Sequence, residues 1–261
     1  MIRIKLCLAL GVMFISIHLF SQESSSYDSL KKYSYLIYGE VNANGYALGT
    51  CSFFRINKKI FLITALHTLT GQNDDGSRHP NYPDTLHLRV KNENGEAVFI
   101  PIDIVKFKKD KTVLRSESDA DMNAVEVTIP GDIQVFSIEK FYKPVPDCHA
   151  IKNVVVYGYP GSNRLSKTQF IVQNPVPATS NVANDFCYAL QWPETKAVDT
   201  INYTIANKPP MSPGFSGAPI FFVVNSKIFF GGILSAAMGE SIILAVRPEN
   251  LAAKVNVQLK R

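Results

Sequence analysis

From residue 33 onward, short runs rich in Val, Ile, Phe, Tyr and Thr alternate with clusters of Gly, Pro, Asn and Asp. The runs suit a pleated surface and the clusters suit turns, so the pattern predicts strands joined by tight connections. The clearest runs are YSYLIYGEV (33–41), LGTCSFFRI (48–56), KIFLITAL (59–66), AVFIPIDIVKF (97–107), NAVEVTI (123–129), NVVVYGY (153–159), TQFIVQN (168–174), DFCYAL (185–190), APIFFVV (218–224) and KIFFGGILSA (227–236). Asn57-Lys58 and Asn225-Ser226 predict tight hairpins. More than ten short strands point to an all-β sandwich or pair of barrels. One segment departs from the pattern. RPENLAAKVNVQLK (247–260) opens on Pro and repeats Leu251, Val255 and Leu259 at four-residue steps, which predicts a short C-terminal helix.

The chain begins differently. Arg3 and Lys5 precede an almost continuously apolar run, Leu6 to Phe20, and Ser21-Gln22-Glu23 turns polar. Basic start, apolar middle and polar exit is the pattern of a cleaved signal peptide, residues 1–21. A transmembrane anchor is the alternative, but the run of about 15 residues is short beside the roughly 20 needed to span a bilayer. The mature chain is expected in a secreted or periplasmic compartment, with no stable membrane anchor. Removing residues 1–21 takes two basic residues and no acids, leaving 25 basic against 22 acidic, a net +3. Such a weak excess makes no case for a nucleic-acid partner, and Lys106-Phe107-Lys108-Lys109 reads as a solvated strand end. Cys51, Cys148 and Cys187 remain. They match no metal-ligand spacing; Cys148–Cys187 is the favoured pair, and Cys51 reads as a small buried residue.

Residues 71–85 form a polar loop, and KPVPDCHA (143–150) reads as a linker. The expected organisation is an N-terminal segment (22–34), a first β-unit (35–142), the linker (143–150), a second β-unit (151–247) and the C-terminal helix (248–261). A cleft between two such units is a common place for a site.

Three segments carry chemistry. FLITALHTLTG (61–71) sets His67 just past an apolar strand, SDADMNAVEV (118–127) sets Asp121 before an alternating one, and MSPGFSGAP (211–219) sets Ser216 in a Gly-rich turn. Singly, each is an ordinary strand-end or turn residue. Together they are the three types a hydrolytic triad needs. Serine requires an adjacent base, imidazole serves near neutral pH, and a carboxylate orients the imidazole and stabilises its charged form. Gly214 is free to turn its own N–H and that of Ser216 toward one spot, where two donors stabilise an oxyanion.

These segments resemble the trypsin-like, chymotrypsin-fold serine peptidases, especially their compact bacterial branch. TALHT is similar to the family's TAAH, DMNAVEV to its aspartate-led strand, and PGFSGAP to its G-[DN]-S-G-[GAS]-P turn, in the family's order and with gaps of 54 and 95 residues. LGTCSFF (48–54), VVVYGYPG (154–161) and GGILSA (231–236) resemble its framing strands, so the likeness covers roughly residues 35–247. The resemblance implies an all-β fold of two antiparallel six-stranded β-barrels and hydrolysis of a polypeptide substrate through an acyl-enzyme. It implies His67, Asp121 and Ser216 as catalytic residues, the N–H groups of Gly214 and Ser216 as oxyanion hole, and no metal or organic cofactor. A binding protein of the same fold with weak or no turnover is the alternative, and an esterase-like hydrolase is a third reading.

The chain also departs from that family. Phe215 stands where the digestive branch has the aspartate that pairs with a freshly cut N-terminus, so no activation by that ion pair is expected. Thr68 replaces the cysteine that often follows the histidine. Asn123 replaces a small apolar residue and would need a partner if buried. Asp119 is the alternative acid. Pro210 occupies the position whose aspartate selects basic side chains in trypsins, so a preference for Lys or Arg is not expected; a small or medium apolar side chain is. Ser235, Ala236 and Ala237 are expected to bind an extended peptide through their backbone, with Ala237 narrowing the pocket. Asp74 and Asp75 lie in a loop that binds calcium in some relatives, but without a supporting ligand pattern they read as solvated.

Overall fold

The computed structural model describes residues 27–42, 45–56, 58–72, 77–105, 121–129, 135, 151, 153–159, 168–173, 176–177, 188–191, 197–199, 204–206, 214–238, 242–246, 248 and 251. The expected signal peptide and linker, Asp74, Asp75, Asp119, Cys148, Cys187 and Pro210 lie outside them. So does most of the C-terminal helix, of which Pro248 and Leu251 are helical and buried.

The described chain is mostly β. The first sheet contains β1 (Tyr35–Asn42), β2 (Gly45–Ile56), β3 (Lys59–Thr64), β4 (Thr85–Lys91), β5 (Ala97–Asp103) and β6 (Asn123–Val127), in the order β5-β4-β1-β2-β3-β6. The second contains β7 (Asn153–Gly158), β8 (Thr168–Gln173), β9 (Val176–Pro177), β10 (Tyr188–Gln191), β11 (Ala197–Asp199), β12 (Thr204–Ala206), β13 (Pro219–Val224), β14 (Lys227–Met238) and β15 (Ile242–Val246). Its order is β12-β11-β8-β7-β13-β14-β15-β10-β9. Every ladder is antiparallel.

Two features differ from the expected pair of six-stranded barrels. The first sheet has six strands, but its ladders run from β5 at one edge to β6 at the other, a half-barrel among the described residues. The second has nine strands, because the two- and three-residue pieces β9, β11 and β12 extend its edges. Pieces that short carry too little periodicity to be read from sequence. The hairpins agree with expectation. Lys58, Asn225 and Ser226 have positive φ (69°, 47° and 60°), as tight turns between twisted strands require.

Side-chain alternation explains the cores. On β3, Phe61 and Ile63 face one cluster while Leu62 faces another; on β2, Phe54 and Phe53 divide in the same way. Burial on both faces is why KIFLIT reads as a continuous apolar run. One cluster is internal to the first sheet: Tyr35, Ile37, Cys51, Phe53, Leu62, Leu86 and Leu88 among others. Cys51 is a fully buried member of it. The other joins the two sheets. Phe54, Phe61 and Ile63 meet Val155, Tyr157, Phe221, Phe230 and Ile233, and Tyr27, Leu30 and Tyr33 join from the N-terminal segment. These last three lie on or beside a 3-10 helix, Asp28–Tyr33. Hydrogen bonds fasten it to β7: Ser34 Oγ donates to Tyr157 O (2.8 Å), Tyr157 Oη to Tyr27 O (3.0 Å) and Asn153 Nδ2 to Tyr27 Oη (3.0 Å).

Candidate active site

His67 lies on a one-turn helix, α1 (Leu66–Thr70), that leaves β3 through extended Ala65 and ends at left-handed Gly71. Leu66, Thr68, Leu69 and Thr70 are buried, whereas the His67 side chain is 29% exposed. The helix therefore turns a single residue toward solvent. Asp121 precedes β6, and β6 pairs with β3 so that Thr64 lies opposite Asn123. That ladder brings together two residues 54 apart in sequence.

Their geometry is two-pointed. Asp121 Oδ2 lies 2.7 Å from His67 Nδ1, and Oδ1 accepts the His67 backbone N–H at 3.0 Å. A carboxylate at Nδ1 favours the tautomer protonated there and leaves Nε2 with a lone pair. Oδ2 also accepts from the Ser235 hydroxyl at 2.5 Å. Burial alone would raise the Asp121 pKa. The His67 charge and the three hydrogen bonds outweigh it and hold the carboxyl below its ordinary value. Asn123 is half-buried, and its side-chain oxygen accepts the Ala124 N–H (2.8 Å).

The turn bearing Ser216 enters β13 from the second sheet. Gly214 and Gly217 have positive φ (106° and 84°). A Cβ at Gly217 would collide with Thr50 O and Thr64 Oγ1, so only glycine lets the turn approach the first sheet this closely. The approach is sealed by hydrogen bonds. Thr50 N–H donates to Ser216 O (2.8 Å), Thr50 Oγ1 to Gly214 O (2.7 Å), and Thr64 Oγ1 to Thr50 O (2.8 Å). Thr64 ends β3, two residues before the His67 helix begins. Gly217 N–H donates to Leu234 O of β14, and within the turn Ala218 N–H donates to Phe215 O. The N–H groups of Gly214 and Ser216 find no acceptor among the described residues. Ser216 is half-buried.

Phe215 is 1% exposed, in contact with Gly158, where a Cβ would strike its ring. An apolar plug thus fills the place where an ion pair was not expected. Ser235, expected only as a backbone group, has a further role that sequence reasoning missed. It sits at a register break between Leu234 and Ala236 on β14, and its buried side chain points at Asp121. A lone hydroxyl in the apolar stretch GGILSAA was the available signal. Ala236 and Ala237 pair with Leu244 and Ile243 of β15. Since β13 begins at Pro219, opposite Ile233, no strand among the described residues pairs with their other edge. No group of three or more His, Cys, Asp or Glu side chains that could hold a metal ion occurs among the described residues, and no described helix is long and apolar enough to cross a membrane.

No protein-family model matches the chain. No curated protein matches it either. Solved structures do. A variant of the HtrA-type protease AlgW with a decapeptide is 10% identical, with a TM-score of 0.50 over 91% of this chain and 67% of that one. AlgW with a tripeptide is 12% identical, with a TM-score of 0.49 over 89% of this chain; the chain spans 62% of that protease's length. The protease Anisep from Arthrobacter nicotinovorans is 14% identical, with a TM-score of 0.48 over 83% of this chain and 90% of that one. At these identities the likeness is one of fold, and the chain shares the fold of the chymotrypsin-type serine proteases.

Proposed function

We propose that this chain is a secreted or periplasmic serine endopeptidase in which Ser216 is the nucleophile, His67 the general base and Asp121 the orienting acid. The observation that carries the reading is the two-pointed His67–Asp121 contact, with Nδ1 at 2.7 Å and the backbone N–H at 3.0 Å. It supports an imidazole held in one tautomer, with Nε2 ready to accept a proton.

In this reading Ser216 Oγ attacks the scissile carbonyl carbon while its proton passes to His67 Nε2. The carbonyl oxygen, now an anion, is met by the N–H groups of Gly214 and Ser216, which find no acceptor among the described residues. The C–N bond then breaks, the amine leaves with the proton from His67, and an acyl group remains on Ser216. Water, deprotonated by His67, releases the acid and restores the serine. Asp121 stays ionised throughout, which its lowered pKa supports. The edge of Ala236 and Ala237 that no described strand pairs with suits an extended peptide. The AlgW variant of the same fold was solved with a decapeptide, in keeping with a polypeptide substrate.

A fluorophosphonate probe tests the reading. The intact protein should label, and Ser216→Ala and His67→Ala should not. If intact protein takes no label, or if Ser216→Ala labels equally well, the peptidase reading is wrong.

A further inference from the structure

We infer that Thr50, a residue of the first sheet, is the positioning residue that holds the oxyanion-binding turn of the second sheet in its working shape. The inference rests on the peptidase reading above.

The plane joining Gly214 to Phe215 is held by its carbonyl, which accepts from Thr50 Oγ1 at 2.7 Å. The plane joining Phe215 to Ser216 is held by its carbonyl, which accepts from Ala218 N–H at 2.8 Å. The plane joining Ser216 to Gly217 is held at both ends, by Thr50 N–H on Ser216 O and by Leu234 O on Gly217 N–H. Three consecutive planes are therefore fixed, and the Ser216 N–H direction is fixed with them. Of these contacts, the Gly214 carbonyl is the one held by a side chain. A glycine at φ 106° tolerates a wide range of backbone angles, so this plane is sensitive to loss of the Thr50 hydroxyl. The plane lies between the Gly214 and Ser216 N–H groups, so turning it would change how the two donors are aligned.

Thr50 is equipped for the task. It is 0% exposed, and its hydroxyl also accepts the Tyr159 N–H at 3.1 Å, so the proton is directed at Gly214 O. Its own carbonyl is held by Thr64 Oγ1 at 2.8 Å, on the strand that leads to His67. One residue thus gears the base-bearing strand to the nucleophile-bearing turn. Phe215, buried against Gly158, packs the turn by apolar contact as well.

The test is the concentration dependence of fluorophosphonate labelling on the full chain, for wild type, Thr50→Val, Thr50→Ala and Thr50→Ser, each below its own unfolding midpoint. Thr50→Val is the isosteric deletion of the hydroxyl; Thr50→Ala leaves space and serves if the valine protein does not fold. The maximal labelling rate should fall about 10- to 100-fold in either, less than for loss of an oxyanion donor itself, while the half-saturating concentration moves by less than about threefold. Thr50→Ser should return the rate to near wild type. Labelling of Thr50→Val or Thr50→Ala within about twofold of wild type would overturn the inference, as would a Thr50→Ser protein as slow as either. Absence of label on wild type would instead remove the peptidase reading, and this one with it.

Discussion

The two sheets hold their parts of the site by different means. The first sheet presents an ionised carboxylate, Asp121, bonded to the His67 imidazole at 2.7 Å just beyond the paired ends of β3 and β6. The second presents an uncharged turn, 214–218, whose shape depends on carbonyl and amide contacts. Each sheet then supplies one hydroxyl to the other: Thr50 reaches the turn, and Ser235 reaches Asp121. The comparison shows that neither half of the site is complete on its own sheet. The carboxylate's electrostatic pull on its neighbours tolerates small displacements, because Coulomb energy falls slowly with distance. A turn of hydrogen-bonded peptide planes does not, because a hydrogen bond weakens steeply with angle.

Substitutions can break that comparison one side at a time. The largest effect is expected from Asp121→Asn, which keeps the shape but favours the wrong imidazole tautomer. Labelling should slow by about 10⁴-fold, as for the same change in a well-studied triad. Next is Leu30→Ala, far from the reacting atoms but at 0% exposure in the core between the sheets. It should cost about 2–5 kcal/mol of stability in denaturant unfolding, with labelling of the folded fraction unchanged.

Ser235→Ala removes the second sheet's hydroxyl from Asp121 and should cost about 1.5–3 kcal/mol, as for a hydrogen bond to a charged group. Its pH signature has a definite sign. Asp121 in the folded chain lies below its ordinary value of 3.8, so its contribution to stability is present above that value and lost as the pH falls through the folded one. Without Ser235 the folded pKa moves up, and acid unfolding should begin at a higher pH. The smallest effect is expected from Gly158→Ala. Its methyl meets the Phe215 ring and should cost about 1–3 kcal/mol of overpacking, read as a lower melting temperature.

Much of this was legible in the chain. Strand runs such as KIFLIT and APIFFVV appear in the fold within a residue or two, because burial on one or both faces dictates their composition. The approach of His67 to Asp121 was legible as strand ends, because β3 and β6 both carry apolar runs up to the residues concerned. The short helix around His67 was not, since five residues give too little periodicity. Neither was β4, where Leu86, Leu88 and Val90 alternate with half-exposed His87 and Arg89 and dilute the apolar signal. Thr50 and the Ser235 side chain stayed hidden for another reason. A threonine or serine within a strand looks alike whether its hydroxyl meets solvent or a residue more than a hundred positions away.

The N-terminal 3-10 helix has a consequence for the order in which the molecule assembles. Tyr27 and Ser34 find their partners on β7 at sequence separations of 123 to 130 residues. Chain growth runs from the N-terminus, so Tyr27, Leu30 and Tyr33 remain uncovered until β7 has been made, and the core they complete must close late. The turn bearing Ser216 arrives later still. A chain interrupted before β7 would therefore expose its apolar N-terminal segment, and one interrupted between β7 and Ser216 would still lack the proposed nucleophile.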